Sequence, residues 1–336
     1  MAKRRITDQQ KRRIAQIQQK RRERAGKQQQ LLNEQFNEQA LGPEQPGRVI
    51  TNFGQALIVE DDQSELHRCV SRQNLGAIVC GDKVIWQDAQ TGEGVIVAVE
   101  PRSSLLQKPG FGGKLKPMAA NIDQIIIVSS VKPEPNAFLI DRYLVAAESL
   151  PATPILLFNK IDLLDDDNRS DIEQLQQLYR SIGYQVIQAS RTLDHGFDEL
   201  DDVIKNKTSI MVGLSGVGKS SLIQHLLPEQ DIRIGELSRA SGEGTHTTTS
   251  STWYNLPEGG SLIDSPGVRN FGLWHMSEDD MLQGFIELRP FIGRCKFSNC
   301  KHESEPGCAI QQALDEGRIS AQRFASYRKM CEEYAS

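Results

Sequence analysis

Apolar residues between positions 122 and 263 occur in short runs that alternate with longer amphipathic segments. Such runs are typical of strands in a parallel sheet whose two faces are both covered. The runs are Ile125–Ser129, Pro154–Phe158, Gln185–Ala189, Ser209–Val212 and Leu262–Ile263. Helices are predicted at 138–149, 171–182, 197–205 and 219–227, the second opened by a capping box of Ser170 and Glu173. The alternation predicts a doubly wound α/β domain.

A different pattern precedes this domain. Five β-rich runs separated by turn-forming residues favour a small closed β-barrel such as an OB-fold. They are Val49–Val59, Leu66–Val70, Ala77–Cys80, Lys83–Trp86 and Gly94–Val99. Residues 102–117 contain several Gly and Lys and are predicted to be a connecting loop. Beyond about residue 275 the chain is predicted to be mainly helical.

Charge is distributed unevenly along the 336 residues. Residues 1–27 contain eleven Lys or Arg and two acidic residues, a net charge of +9, so the rest carries −14 within a total of −5. Such a basic arm favours a polyanionic partner such as RNA, with a solvated tail as the alternative. No apolar run approaches the ~20 residues that span a bilayer, and no secretory signal follows the basic start. We therefore expect a cytoplasmic protein with no membrane partner.

A phosphate-binding loop lies between the fourth predicted strand and the fourth predicted helix. The segment Gly213-Leu214-Ser215-Gly216-Val217-Gly218-Lys219-Ser220 fits G-x-x-x-x-G-K-[ST], and Ser221 follows it. Glycines let successive backbone N–H groups turn inward around phosphates, and the helix N-terminus favours an anion. Lys219 is expected to reach the β- and γ-phosphates, and Ser220 to coordinate Mg²⁺. The loop alone fits ATP as well as GTP.

The base is indicated by Asn159-Lys160-Ile161-Asp162, which directly follows the second predicted strand. Guanine presents two adjacent donors, N1–H and the 2-amino group, and the carboxylate of Asp162 can accept both. Adenine has neither donor there, so it would leave the carboxylate desolvated and unpaired. Ala189-Ser190-Arg191, after the third strand, is either a second base-contacting loop or a simple turn.

Two further segments suit the γ-phosphate and its metal ion. Asp264-Ser265-Pro266-Gly267 fits D-x-P-G, in which Asp264 acts on Mg²⁺ and the Gly267 N–H meets the γ-phosphate. The hydroxyl-rich loop 242–250 suits a switch that senses this phosphate. Thr248 is its favoured magnesium ligand, although neighbouring threonines remain alternatives.

The residue that orients the attacking water is not evident. Position 268 is valine, where many GTPases have a glutamine for this task. His246 is a polar, titratable candidate on the sensing loop, the alternative being a solvent-facing histidine. We expect His246→Ala to lower turnover and to leave GTP affinity nearly intact. Single-turnover hydrolysis and nucleotide titration measure the two quantities, and unchanged turnover would remove His246 from the mechanism.

The motifs occur in an unusual order. N-K-x-D comes first, followed by the phosphate loop, the threonine loop and D-x-P-G, whereas ordinary GTPases begin with the phosphate loop. The same sheet forms if the original termini are joined and the chain is opened after D-x-P-G. We infer that the segment after Gly267 then leads into the C-terminal region and acts on it as a lever.

Three of the six cysteines lie close together near the C-terminus, beside a histidine. Cys295, Cys300, His302 and Cys308 offer three thiolates and an imidazole, a set that suits tetrahedral Zn²⁺. Four protein ligands leave no open position for catalysis, so the predicted ion is structural. Unrelated reduced cysteines are the alternative.

Together, the permuted order, G-L-S-G-V-G-K-S-S, T-H-T-T-T, D-S-P-G and C-x4-C-x-H-x5-C resemble the RsgA/YjeQ family of small-subunit-dependent ribosomal GTPases. The resemblance extends from about residue 48 to 330 and includes Ala119–Asp123. It implies an OB-fold RNA-binding domain (46–110), a permuted GTPase domain (111–275) and a zinc-binding helical domain (276–336). The basic, flexible arm (1–45) that precedes them is predicted from its charge alone.

The resemblance further implies a monomer that binds GTP or GDP, the small ribosomal subunit and 16S rRNA. It implies late subunit maturation and GTP hydrolysis stimulated by the subunit. One alternative is an rRNA-binding scaffold that retains nucleotide with negligible turnover, which Val268 motivates. A second is a phosphate-loop ATPase or kinase, which Asp162 argues against.

Overall fold

The computed structural model describes residues 41–54, 56–89, 92–109, 115–227, 251–265 and 276–334. The chain forms two compact units. Of the described residues, the first unit comprises those within 41–49, 53–78 and 83–100, and the second those within 50–52, 79–82 and 101–334. No helix in the described ranges is long and apolar enough to cross a membrane.

The first unit contains a closed barrel of five strands. They are β1 (Leu41–Asn52), β2 (Leu57–Glu60), β3 (Leu66–Ser71), β4 (Lys83–Ala89) and β5 (Gly94–Val99). The pairing order β1-β2-β3-β5-β4 is closed by β1 pairing with β4. Val59, Cys69 and Trp86 are among the side chains that fill its interior. The predicted barrel is confirmed.

Three predicted elements around the barrel are wrong. The run Val49–Val59 is two strands, because the chain turns where the Phe53 N–H donates to the Ala56 carbonyl. Ala77–Cys80 forms no strand, only an isolated bridge at Cys80. The predicted loop 102–117 contains two strands among its described residues, since β6 (Leu105–Pro109) and β7 (Leu115–Ala120) pair as an antiparallel hairpin in the second unit. In that hairpin Leu106 lies opposite Ala119, and both side chains are buried.

The second unit is built on a largely parallel sheet in the order β10-β9-β8-β11-β13-β12, in which β12 is antiparallel. Its strands are β8 (Gln124–Ser130), β9 (Thr153–Asn159), β10 (Gln185–Ala189), β11 (Thr208–Val212), β12 (Thr252–Asn255) and β13 (Ser261–Asp264). The helices are α1 (Ala137–Glu148), α2 (Arg169–Ile182), α3 (Asp198–Ile204) and α4 (Lys219–Leu226). The predicted doubly wound α/β domain is confirmed.

The capping box predicted for α2 is wrong. The helix begins at Arg169, so Ser170 lies inside the first turn, and its hydroxyl accepts from Gln174. The preceding turn is closed instead by Asp165 and Asn168, each of whose side chains accepts from the backbone N–H of the other. The residue that precedes the helix is therefore Asn168, two positions before the predicted cap at Ser170.

Three helices follow in the C-terminal part: α5 (Glu278–Gly284), α6 (Ala309–Asp315) and α7 (Ala321–Tyr334). Ser277 and Asp280 form a capping box at the start of α5. Helices α5 and α7 pack against α1 of the sheet domain. Residue 275, the predicted boundary, lies outside the described residues, and the domain limits remain a prediction.

Candidate nucleotide site and metal site

The predicted nucleotide-binding segments follow β9, β11 and β13 at the carboxyl edge of the sheet, where α/β proteins bind their ligands. Asn159 ends β9, and Gly213 follows β11. Asp264 ends β13, which runs parallel to β11 with Ile263 opposite Ile210. This register places the exposed Asp264 beside the start of the phosphate loop.

Three side-chain hydrogen bonds connect Asn159 and Lys160 to the phosphate loop and to the loop after β8. The Asn159 side-chain amide donates to the Val217 carbonyl at 2.9 Å. The Lys160 ammonium donates to the carbonyls of Gly216 and Lys132, each at 2.7 Å. The two predicted segments therefore border one cleft, although the chain reaches them in reversed order. Sequence analysis missed Lys132, whose only signal is its place directly after β8, between β9 and β11 in the sheet.

Ser190 orients the carboxylate of Asp162. The fully buried Ser190 hydroxyl donates to Asp162 and accepts from the backbone N–H groups of Thr192 and Leu193. The segment is a short loop, closed by the Ser190 N–H donating to the Gly196 carbonyl. A contact between this loop and the base remains a prediction, but its geometry gives Ser190 a role that the sequence did not reveal.

The phosphate loop requires glycine at two positions for reasons visible in its packing. Gly213 and Gly218 have φ of 143° and 96°. A Cβ would lie 2.3 Å from the Val128 carbonyl oxygen at the first position and 2.3 Å from the Asn159 amide nitrogen at the second. The Lys219 ammonium donates to the carbonyl of Gly213 at 2.7 Å, so its charge lies over the loop. The loop then enters α4, whose first backbone N–H groups suit an anion.

Magnesium would draw its ligands from the same edge. Ser220 is exposed on the first turn of α4, the helix that follows β11. Asp264 supplies a carboxylate at the end of the neighbouring strand β13. Hydroxyl and carboxylate oxygens are the ligands that Mg²⁺ prefers. His246, Thr248 and Gly267 lie outside the described residues, and their roles remain predictions.

The Cys/His cluster has the dimensions of a zinc site. Its four ligand atoms all lie within 4.8 Å of one another. Cys295 Sγ is 3.8 Å from Cys308 Sγ and 3.5 Å from His302 Nδ1. A tetrahedral zinc ion with ligand bonds of about 2.0–2.3 Å separates its ligand atoms by about 3.5–3.8 Å. Burial lowers the pKa of His302, which favours the neutral imidazole that binds metal. The donor set therefore fits one structural Zn²⁺.

Glu305, which sequence analysis missed, holds the loop that carries His302. Its carboxylate accepts from the backbone N–H groups of Lys301 at 2.6 Å, Glu303 at 2.8 Å and Ser304 at 3.1 Å. The bond from Lys301 contributes most to lowering the pKa of Glu305 to about 2. The ionised carboxylate thus fixes the backbone on both sides of the histidine.

Removing this carboxylate is expected to weaken zinc binding. We expect Glu305→Ala to lower zinc affinity about tenfold, because groups that orient metal ligands contribute about 10–100-fold to affinity. Competition against a chromophoric chelator measures the change. Glu316→Ala is the control, since Glu316 is exposed and pairs with Arg318 rather than with the zinc loop. Equal affinities for the two variants would contradict this role.

The comparisons with known proteins agree with this architecture. The family model of the RsgA GTPase matches residues 99–274. A small ribosomal subunit biogenesis GTPase RsgA of Pseudomonas aeruginosa is 50% identical over 328 residues, covering 98% of this chain and 97% of the relative. A protein of the same name from Chromohalobacter salexigens is 52% identical over 291 residues, 85% of each chain.

Two solved structures share the fold. YjeQ from Thermotoga maritima superposes with a TM-score of 0.73 at 32% identity, covering 88% of this chain and 99% of that one. YloQ, described as a circularly permuted GTPase, gives a TM-score of 0.69 at 28% identity, covering 87% and 95%. The reversed motif order, the common cleft and these similarities lead to one conclusion: the chain belongs to the RsgA GTPase family and is a circularly permuted GTP hydrolase.

Proposed function

We propose that this protein binds the small ribosomal subunit, assists its late maturation, and hydrolyses GTP to GDP and phosphate with stimulation by the subunit. The observation that carries the proposal is the joint between the Asn159–Asp162 segment and the phosphate loop, which forms one cleft for base and phosphates. Relatives about half identical over nearly the whole chain carry the name of a small-subunit biogenesis GTPase.

Within this cleft each group has a defined task. Asp162, oriented by Ser190, accepts the two donors of guanine, and the Lys160 stem covers the ring. Lys219 neutralises the β- and γ-phosphates. Ser220 and Thr248 would hold Mg²⁺, which would supply further charge neutralisation. Asp264 would interact with this ion through water, and the Gly267 N–H would donate to the γ-phosphate. In this scheme the barrel and the zinc region bind rRNA, and GTP hydrolysis releases the protein from the rRNA.

Single-turnover GTP hydrolysis with and without purified small subunits tests the proposal. We expect the subunit to accelerate hydrolysis, with purified large subunits as the control. Co-sedimentation with the small subunit is expected to be stronger with a non-hydrolysable GTP analogue than with GDP. Binding without any acceleration would favour the alternative, an rRNA-binding scaffold with negligible turnover.

The zinc loop offers an RNA-binding surface next to the metal site. Arg294 and Lys296 are exposed there, and the Lys296 ammonium lies 5.5 Å from the centre of the Phe297 ring, which is 43% exposed. Lysine and arginine suit phosphates, and an exposed ring suits a stacked base. Lys301 is less available to a phosphate, because its ammonium pairs with the carboxylate of Glu278 at 2.9 Å.

Binding through this surface is expected to depend on salt. Lys296→Ala is expected to weaken rRNA binding and to reduce the slope of log affinity against log salt by about 0.7, the value for one single-strand phosphate. Lys205→Ala, at an exposed lysine after α3, is the control. Titration of a small-subunit rRNA fragment at several salt concentrations measures both slopes. A slope unchanged by Lys296→Ala would exclude a phosphate contact there.

A further inference from the structure

One face of α1 is held along its whole length by the C-terminal region. Residues at positions 138, 141, 145 and 148 follow the spacing of a single helical stripe. Each of the four contacts a residue beyond position 280. The contacts are Phe138 with the Lys329 ammonium at 4.2 Å, Asp141 with Arg323 at 2.6 Å, Val145 with Gly284, where an added Cβ would lie 2.5 Å away, and Glu148 with Arg289 at 2.6 Å.

The centre of this stripe is a buried ionic joint. The side chains of Asp141 and Arg323 are fully buried. Arg323 Nη1 donates to Asp141, while its Nε donates to Glu287 at 2.6 Å. The Tyr179 hydroxyl also donates to Asp141 at 2.6 Å. Charges withdrawn from water tolerate separation poorly, because an unpaired buried charge is costly. The joint therefore obliges α1 and the C-terminal helices to move together.

Other residues of α1 and the chain leading into it contact the nucleotide site. Ile140 and Tyr143 line a narrow cleft together with Leu214 and Val217 of the phosphate loop. Asn136, whose side chain accepts from the Leu139 N–H, caps the helix and borders the same cleft.

The base-reading segment is bonded to the loop that leads into α1. The Lys160 ammonium donates to the Lys132 carbonyl, in the loop that leads from β8 into α1. The phosphate loop thus borders a cleft with the N-terminal part of α1, and the base-reading segment is bonded to the loop that leads into this helix.

We propose that α1 couples the nucleotide site to the zinc-bearing C-terminal region, with Arg323 as the positioning residue that transmits its movement. This route is separate from the covalent connection after Gly267, and it rests on the proposed function, since it specifies how that same nucleotide site is read. Coupling between two sites is reciprocal, so the C-terminal joint must also affect which nucleotide the site prefers.

Hydrogen–deuterium exchange of the full-length, zinc-loaded protein tests the first half of the proposal. Exchange in Ala321–Tyr334 is expected to differ between the GDP and the non-hydrolysable GTP states, and Asp141→Asn is expected to reduce this difference at least about threefold. Exchange in this helix that is identical in both nucleotide states of the wild type would overturn the proposal. Nucleotide occupancy is measured in the same samples. Failure to bind either guanine nucleotide would overturn the proposed function itself, and this inference with it.

Nucleotide titration of the free protein tests reciprocity. The ratio of the dissociation constants for GDP and the GTP analogue is expected to shift about fivefold or more in Asp141→Asn, the lower end of typical allosteric coupling. Glu148→Gln, at the less buried end of the stripe, provides a second variant if the first does not fold. Arg328→Met is the matched control, because Arg328 is on the same helix but pairs with Glu303. Folded variants that keep the wild-type ratio would show a purely structural joint and overturn the coupling.

Discussion

Asp162→Asn is expected to weaken GTP binding about a hundredfold or more and to transfer the preference to xanthosine nucleotides. Each hydrogen bond from guanine to a carboxylate contributes about 1.5–3 kcal/mol, and the variant loses the charge behind two of them. Xanthine carries a carbonyl in place of the 2-amino group, so the asparagine amide can donate where the aspartate accepts. Titration with guanosine, xanthosine and adenosine diphosphates measures the switch.

Asp166→Asn provides the control for this change, because Asp166 is an exposed acid a few residues further along the chain. It is expected to leave all three affinities near their wild-type values. A wild-type protein that binds adenosine nucleotides as tightly as guanosine nucleotides would contradict the role of Asp162 and favour the ATPase alternative. Ser190→Ala is expected to give a smaller loss, since Ser190 only orients the carboxylate.

Arg323→Met is expected to lower the free energy of unfolding by about 3–5 kcal/mol. The change removes the guanidinium and leaves the carboxylates of Asp141 and Glu287 without their cation in a buried site. Urea unfolding of the zinc-loaded protein, followed by circular dichroism, measures the loss.

Arg318→Met is the control that distinguishes the effect of losing a buried ion pair from the effect of losing any arginine. Arg318 pairs with Glu316 at 2.6 Å, but both side chains are largely exposed. Exposed ion pairs contribute about 0–1 kcal/mol, so this variant is expected to remain close to the wild type. Equal losses of unfolding free energy in the two variants would show that the buried ion pair contributes no more to stability than the exposed one.

The sheet domain could be predicted because its signals are local. Runs such as Ile125–Ser129 and Pro154–Phe158 match observed strands to within a residue or two at each end, since strands buried on both faces form near-continuous apolar runs. The phosphate loop and the candidate zinc ligands could also be predicted from the sequence, because the residues of each set lie close together along the chain. Hairpin β6–β7 was missed because its glycines and lysines outweighed the buried Leu106.

Contacts between distant parts of the chain were out of reach. Asp141 and Arg323 are separated by 182 positions, and each taken alone resembles an ordinary surface charge on an amphipathic helix. The same holds for Lys160, whose ammonium reaches Lys132 and Gly216, 28 and 56 positions away. Only the packing of the helices and the order of the strands reveal these partners.

The separation of Asp141 from Arg323 also fixes when this part of the molecule is finished during synthesis. At a translation rate of about 5–20 residues per second, the arginine follows its aspartate by roughly 10–40 s. Until then Asp141 lacks the cation that accompanies it into the interior, so α1 stays partly hydrated. A nascent chain can therefore assemble its sheet well before α7 has been translated. Asp141 and Arg323 can pair only after that helix has been made.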